Sequence, residues 1–78
     1  MAIYTLTQKG LKMPALRTHD NTVSWLVIKA MLQAYTLCQE DNLATAVSQH
    51  VHGTEAVKDK GGMPFVRYME ILKLIRKV

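Results

Sequence analysis

The sequence contains a single cysteine, Cys38, so no disulfide can form within the chain. This matters because the 78 residues make one small domain, 1–78, and a core of that size supplies only about 3–5 kcal/mol of net stability. Small domains often add disulfides, metals or oligomerisation to compensate. The lone thiol, together with the lack of a secretory signal pattern after Met1, predicts a cytoplasmic protein.

Two other classes of protein lack their signatures here. A membrane-spanning helix needs about 20 consecutive apolar residues, and the most apolar stretch, 22–38, carries Lys29 in its middle. A phosphate-binding glycine loop is also missing, because the Gly61-Gly62 pair is not followed by the lysine and hydroxyl residue of that motif. We therefore expect no membrane span and no nucleotide-phosphate loop.

Side chains that could carry catalysis or hold a metal are few. Glu55 and Asp59 would share one face of a helix, but neighbouring lysines make a solvated charge pattern the better interpretation. His50 and His52 would point about 200° apart on a helix, so they could not share a zinc ion with Cys38. We predict that the protein is not an enzyme and has no cofactor or metal.

The stretch 22–38, TVSWLVIKAMLQAYTLC, has the clearest pattern in the chain. On a helical wheel its polar side chains fall mainly in one narrow stripe, and almost all of the remaining circumference is apolar. A helix of this kind belongs inside a protein or an oligomer. The pattern predicts a buried central helix over 22–38, with Trp25 in the core.

Residues 1–21 predict a strand followed by a basic arm. The segment Ile3–Thr7 is rich in β-branched and aromatic residues, which favours a short strand. Gly10 and Pro14 then predict an irregular connection over 8–21. A lone strand leaves backbone groups unpaired, so it must pair with a short segment elsewhere in the chain or with its counterpart in a second copy.

The remaining residues predict three more helices. Apolar residues and His50 recur from Leu43 to Val51 at helical spacing, and Gly53 ends that helix. A short helix over 55–60 precedes a last helix over 65–78, whose buried side comprises Phe65, Tyr68, Met69, Leu72 and Ile75. The expected fold is mainly α: a small bundle of three long helices and one short helix around 22–38, forming a helical core over 22–78, with one short N-terminal β-strand. The central and last helices are more apolar than one small core needs, which predicts a homodimer or a protein partner.

Charge is concentrated at the two ends of the chain. Residues 1–40 hold four basic and two acidic residues, and residues 64–78 hold four and one, within a net charge of +4. Such a balance fits a nucleic-acid-binding protein. The candidate phosphate-binding residues are Lys9, Lys12 and Arg17 in the arm and Lys58, Lys60, Arg67, Lys73, Arg76 and Lys77 in the C-terminal half.

Two short patterns resemble small DNA-binding regulators. The run 41–60, DNLATAVSQHVHGTEAVKDK, is predicted as helix, glycine-containing turn and helix, and it resembles a helix-turn-helix unit. The run Tyr4-Thr5-Leu6-Thr7-Gln8-Lys9-Gly10 resembles the Y-x-L-T-x-x-G strand of many winged-helix regulators. In that family the strand usually follows the helices, whereas here it comes first. The resemblance implies a non-enzymatic DNA-binding regulatory protein that acts as a homodimer.

Two alternatives stay open. In ribbon-helix-helix proteins the N-terminal strands of two subunits form a sheet that reads DNA, and the lone strand here resembles that arrangement. A protein-interaction or inhibitor module would use the same excess apolar surface without any DNA contact. If Arg67, Lys73, Arg76 and Lys77 share one exposed face with the arm, DNA is favoured. If these cations scatter and an apolar patch stays exposed, a protein partner is favoured.

Overall fold

The computed structural model describes residues 2–78 as a helical protein with a small antiparallel sheet. In that part of the chain, four helices and three strands follow one another in the order β1 (Ile3–Leu6), α1 (Gln8–Lys12), α2 (His19–Tyr35), β2 (Cys38–Gln39), α3 (Glu40–His52), α4 (Gly62–Ile71) and β3 (Ile75–Lys77). The fold is therefore α plus β, and not the pure helical bundle with one strand that the sequence predicts.

The N-terminal strand is the centre of the sheet. The strand order is β2-β1-β3, with Tyr4 opposite Cys38 on one side and Leu6 opposite Ile75 on the other, both pairings antiparallel. Val78 extends the second pairing, since its N–H donates to the Ile3 carbonyl at 2.9 Å. The strand thus finds its partners within its own chain. Because both of its edges are occupied, the strand-pairing argument for a homodimer is wrong, and so is the ribbon-helix-helix arrangement.

Helix α2 forms the middle of the core, as the apolar pattern predicts. Trp25 and Ile28 are fully buried, and the Trp25 indole N–H donates to the Met13 carbonyl at 2.8 Å. The helix is less enclosed than expected, because Leu26 stays 47 % exposed. It also ends at Tyr35 and not at residue 38, because Thr36 has a φ of 66° that no α-helix can continue.

Helix α3 ends at Gly53 as predicted, but the segment after it differs from the prediction. Gly53 has a φ of 102°, which suits the glycine that follows a helix. His50 is exposed and does not join the apolar face. Residues 53–61 form turns and no helix, so the predicted helix over 55–60 is wrong. The two glycines that were expected to end it instead begin α4.

The predicted last helix, 65–78, is in fact a helix followed by a strand. Lys73 adopts a φ of 62°, which reverses the chain after α4. The chain then brings Leu74 and Ile75 into the core, where β3 pairs with β1. Pairing with β1 and burial of these two side chains outweigh the helical periodicity of the sequence. As a result Tyr68, predicted to be buried, is 39 % exposed.

The predicted irregular arm contains a short helix, α1. The Thr7 hydroxyl caps it by accepting from the Gly10 N–H at 3.0 Å, and it also donates to the Lys73 carbonyl at 2.6 Å. Gly10 is required here because a Cβ at this position would overlap the Leu74 carbonyl. The glycine that was expected to break structure therefore permits α1 to pack against the end of α4. Across residues 2–78, each helix is too short or too polar to cross a membrane.

Candidate nucleic-acid interface

Helix α4 carries one continuous exposed stripe on its surface, which we call the α4 stripe: Pro64, Arg67, Tyr68 and Ile71. The stripe follows from the packing of the opposite side of the helix, where Val66 and Met69 are fully buried. The start of α4 lies directly against α3, because a Cβ on Gly62 would overlap the Ala44 carbonyl. The stripe therefore belongs to a helix whose N-terminal end is in close contact with α3.

Three of the predicted cations pair with carboxylates, and we call them the paired cations. Lys58 lies 2.9 Å from Asp41, Arg67 3.4 Å from Glu40, and Lys77 3.9 Å from Glu70, in each case between a side-chain nitrogen and a carboxylate oxygen. The hydrogen bond to Asp41 raises the pKa of Lys58. The positive charge of these residues is therefore partly neutralised by the protein itself.

Four other predicted cations lie in the arm and in the turn after α4, two segments that meet at the C-terminal end of this helix, and we call them the Leu72 cluster: Lys9, Lys12, Arg17 and Lys73. Lys9 Nζ donates to the Leu72 carbonyl at 2.9 Å, where a cation is favourable at a helix C-terminus. Lys73 follows Leu72 directly, and Lys12 lies one helical turn beyond Lys9. Arg17 lines the same groove as Leu72. Within residues 2–78 no carboxylate forms an ion pair with any of the four.

The paired cation Lys77 and the Leu72 cluster lie on opposite flanks of the α4 stripe. Lys77 contacts Glu70, whereas Arg17 lies across a groove from Leu72. Glu70 and Leu72 are two positions apart and therefore point about 200° away from each other around the helix axis. The exposed face of α4 is thus bordered by the Leu72 cluster on one side and by the Lys77–Glu70 ion pair on the other.

Two of the nine predicted residues stand apart from this arrangement. Arg76 lies opposite Thr5 in the sheet, on the face that alternates with the core-facing Tyr4 and Ile75, so it points away from α4. Lys60 is exposed in the turn that precedes α4. Of the four cations whose shared face with the arm would favour DNA, only Lys73 lies beside the arm, whereas Lys77 lies on the other flank of α4 and Arg76 points away from it.

A buried tyrosine links the sheet to the charged groups of α4. The Tyr4 hydroxyl donates to Glu70 Oε1 at 3.0 Å, and Glu70 Oε2 faces Lys77. Burial, followed by the interaction with the Glu70 carboxylate, raises the pKa of Tyr4 to about 12. The tyrosine is therefore a neutral hydrogen-bond donor at physiological pH, and it holds Glu70 in place.

An apolar groove of about 340 Å³ runs between the arm and α4. Its lining comprises Met13, Ala15, Leu16, Arg17, Asn21, Tyr68 and Leu72. Ile71, on the α4 stripe beside it, is 75 % exposed. This region is the most apolar part of the surface that surrounds the cations.

Sequence reasoning missed the carboxylates and the exposed side chains of this surface. Glu40 and Glu70 were not expected to bind cations, since Glu40 is 27 positions from Arg67 and the pairing depends on the tertiary fold. Tyr68 was assigned to the core because the helix was drawn through to residue 78. On a helical wheel limited to 62–71, Ile71 lies beside Arg67 on the charged side, and Tyr68 lies at the border of the apolar arc.

Comparisons with known proteins gave no relatives: no family model, no curated protein and no solved structure matches the chain.

Proposed function

We propose that this chain is a small, non-enzymatic DNA-binding regulatory protein that acts by occupying its site on the duplex. The observation that carries the proposal is the exposed α4 stripe with cations on both flanks. An α-helix about 10–12 Å across fits the major groove of B-DNA, which is about 12 Å wide. Cations on both sides of such a helix would meet the phosphates that border the groove.

Each defining residue of the Y-x-L-T-x-x-G pattern, which resembles a strand of winged-helix regulators, makes a specific contact. Tyr4 is buried against Glu70, and Leu6 packs on the core. Thr7 caps α1, and Gly10 permits the approach to Leu74. The residues of the pattern together join the strand to α1 and to the turn after α4.

The position of β1 in the sequence departs from the winged-helix pattern, because β1 precedes all helices. In space it lies between β2 and β3, and the Val78 N–H donates to the Ile3 carbonyl. The first strand of the chain therefore pairs directly with the last one.

The helix pair in this proposal is α3 and α4, and not the two segments of the run 41–60. The connection between the two helices, residues 53–61, has nine residues and is longer than the turn of three or four residues common in helix-turn-helix units. In the proposed complex, α4 contacts base edges. The Leu72 cluster contacts phosphates, since no ion pair competes for its charge within residues 2–78.

The test is the binding of the 78-residue chain to a mixed-sequence DNA duplex at several salt concentrations. If the four cations of the Leu72 cluster contact phosphates, the logarithm of affinity should fall with the logarithm of salt concentration at a slope of about −3 to −4. Absence of binding at low salt would refute the proposal. The proposed homodimer now depends on exposed apolar side chains alone, and sedimentation equilibrium at tens of micromolar tests it.

The exposed apolar surface favours a second candidate, a protein-interaction or inhibitor module. Ile71 and the adjoining groove would bind a partner protein, and the cations would only keep the surface solvated. A photo-crosslinking residue at position 71 tests this candidate, with the exposed position 33 on α2 as the control. The second candidate predicts crosslinks to one protein from position 71 alone, in a chain that does not bind DNA.

A further inference from the structure

We infer that Arg67 is the residue of α4 that reads a base pair, by donating two hydrogen bonds to a guanine, and that Glu40 is its positioning residue. This inference rests on the proposed function. It specifies which side chain of the α4 stripe gives sequence preference and which base that side chain recognises.

Arg67 is the one charged residue in the α4 stripe. Its neighbours in the stripe are a proline, a tyrosine and an isoleucine, and its side chain is 66 % exposed. A guanidinium carries five N–H donors in a planar fork. Guanine presents two acceptors, O6 and N7, on the edge that faces the major groove, and arginine is the side chain that most often binds both.

Glu40 holds the guanidinium by one side only. The Arg67 Nε–H donates to Glu40 Oε1 at 3.4 Å, which leaves the two terminal amino groups free to donate outward. Glu40 itself is well fixed, because its side chain is only 13 % exposed and its backbone N–H donates to the Ala2 carbonyl at 2.9 Å. The arginine therefore approaches DNA with part of its conformational freedom already removed.

The other paired cations do not have this geometry. Lys58 and Lys77 carry ammonium groups on flexible four-carbon stems, without the rigid planar fork that a guanidinium presents to the guanine edge. Both also lie outside the α4 stripe, in the turn before α4 and in β3. They would contribute charge but little discrimination between bases.

The experiment is selection of preferred sites from a random duplex library by the full chain, followed by affinity measurements on the selected site. We expect one guanine that every selected site shares. Replacing its G·C pair with A·T should weaken binding about 5- to 150-fold. Replacing that guanine with 7-deazaguanine, which lacks the N7 acceptor, should weaken binding without any change to the protein.

Three variants separate base reading from a structural role. Arg67→Ala, which removes every side-chain donor at this position, should abolish the preference for guanine while salt-dependent binding to mixed DNA persists. Glu40→Gln should reduce the preference in the same direction but by less. Lys77→Gln, which leaves the contact between Arg67 and Glu40 intact, should preserve it.

The failures of this inference and of the proposed function are distinguishable. Binding to mixed DNA without a guanine preference that depends on Arg67 would overturn the inference and leave the proposed function standing. A preference that 7-deazaguanine does not weaken would also overturn it. Absence of binding to any duplex at low salt would overturn the proposed function and the inference together.

Discussion

The two ends of α4 are built alike but differ in charge. At each end a glycine allows close backbone contact: Gly62 against Ala44 of α3, and Gly10 of α1 against Leu74. At the first end the nearby cations Lys58 and Arg67 pair with carboxylates of α3. At the second end Lys77 pairs with Glu70, but the Leu72 cluster has no paired carboxylate within residues 2–78, and its Lys9 donates to the Leu72 carbonyl.

This difference shows how one short helix can be both fixed and charged. Ion pairs between exposed groups contribute little stability, about 0–1 kcal/mol each, so the cations at neither end hold the helix in place. Fixation comes from the glycine contacts and the buried side. The paired cations are oriented by their carboxylates, whereas no ion pair offsets the charge of the Leu72 cluster within residues 2–78.

The largest expected effect is a loss of stability when a methyl group is added to the glycine that makes the close contact at either end of α4. Gly62→Ala and Gly10→Ala should each lower the free energy of unfolding by about 3 kcal/mol, because the new Cβ overlaps a backbone carbonyl that cannot move alone. Urea denaturation followed by far-UV circular dichroism measures the loss.

Gly53→Ala is the matched control for the glycine variants. Gly53 has a φ of 102° and a ψ of 175° but open space around its Cβ position, so only backbone strain, of about 1–3 kcal/mol, is expected. If the Gly62 and Gly10 variants lost no more stability than this control, the close contacts at the ends of α4 would not be what fixes the helix.

The sequence predicts features that depend on residues close together in the chain better than features that depend on distant ones. Burial of Trp25 is predicted correctly, because a run of apolar residues at helical spacing is a local signal. The strands β2 and β3 have two and three residues, too few for an alternating pattern to appear. The end of α4 was also missed, because the left-handed turn falls on Lys73 and not on a glycine.

The candidate site was predictable in its residue types but not in its organisation. Seven of the nine predicted cations separate into the two groups described here, and nothing in the spacing of Lys58 or Lys77 indicates that a carboxylate lies beside it. That information resides in the packing of α3 and β3 against α4, which brings together residues far apart in the chain. Charge composition can therefore suggest a partner, but only the fold assigns the contacts.

The second prediction concerns the salt dependence of DNA binding. Lys12→Gln with Arg17→Gln, both in the Leu72 cluster, should reduce the steepness of the salt dependence by about 2 and weaken binding at low salt about 10- to 100-fold. Lys58→Gln with Lys77→Gln removes the same amount of charge from paired cations and should change the slope by less than half as much. Equal effects from the two double variants would contradict the assigned difference between the paired cations and the Leu72 cluster.

The third prediction uses the pH dependence of stability. The pKa of Tyr4 is about 12 in the folded protein and about 10 in the unfolded chain, so folding favours the protonated phenol. The contribution is complete below pH 10 and is lost as pH rises towards 12, with a slope of up to about 1.4 kcal/mol per pH unit. Tyr4→Phe should lack this slope. Urea unfolding between pH 9 and about pH 11.5 compares the two proteins, and parallel curves would mean that Glu70 is not held by the tyrosine.

The smallest expected effect comes from variants of Lys73 that distinguish the role of its backbone conformation from the role of its charge. Lys73 holds a φ of 62°, a conformation that costs an ordinary residue about 1 kcal/mol and glycine almost nothing. Lys73→Gly should therefore stabilise the fold by up to about 1 kcal/mol, less the entropy that glycine adds to the unfolded chain. Lys73→Ala retains the Cβ and should give no stabilisation.

Both variants remove the same charge, so both should reduce the salt slope of DNA binding by about 1. If only the glycine variant lost affinity, the turn would act through its rigidity, and Lys73 would have to be removed from the phosphate-binding group.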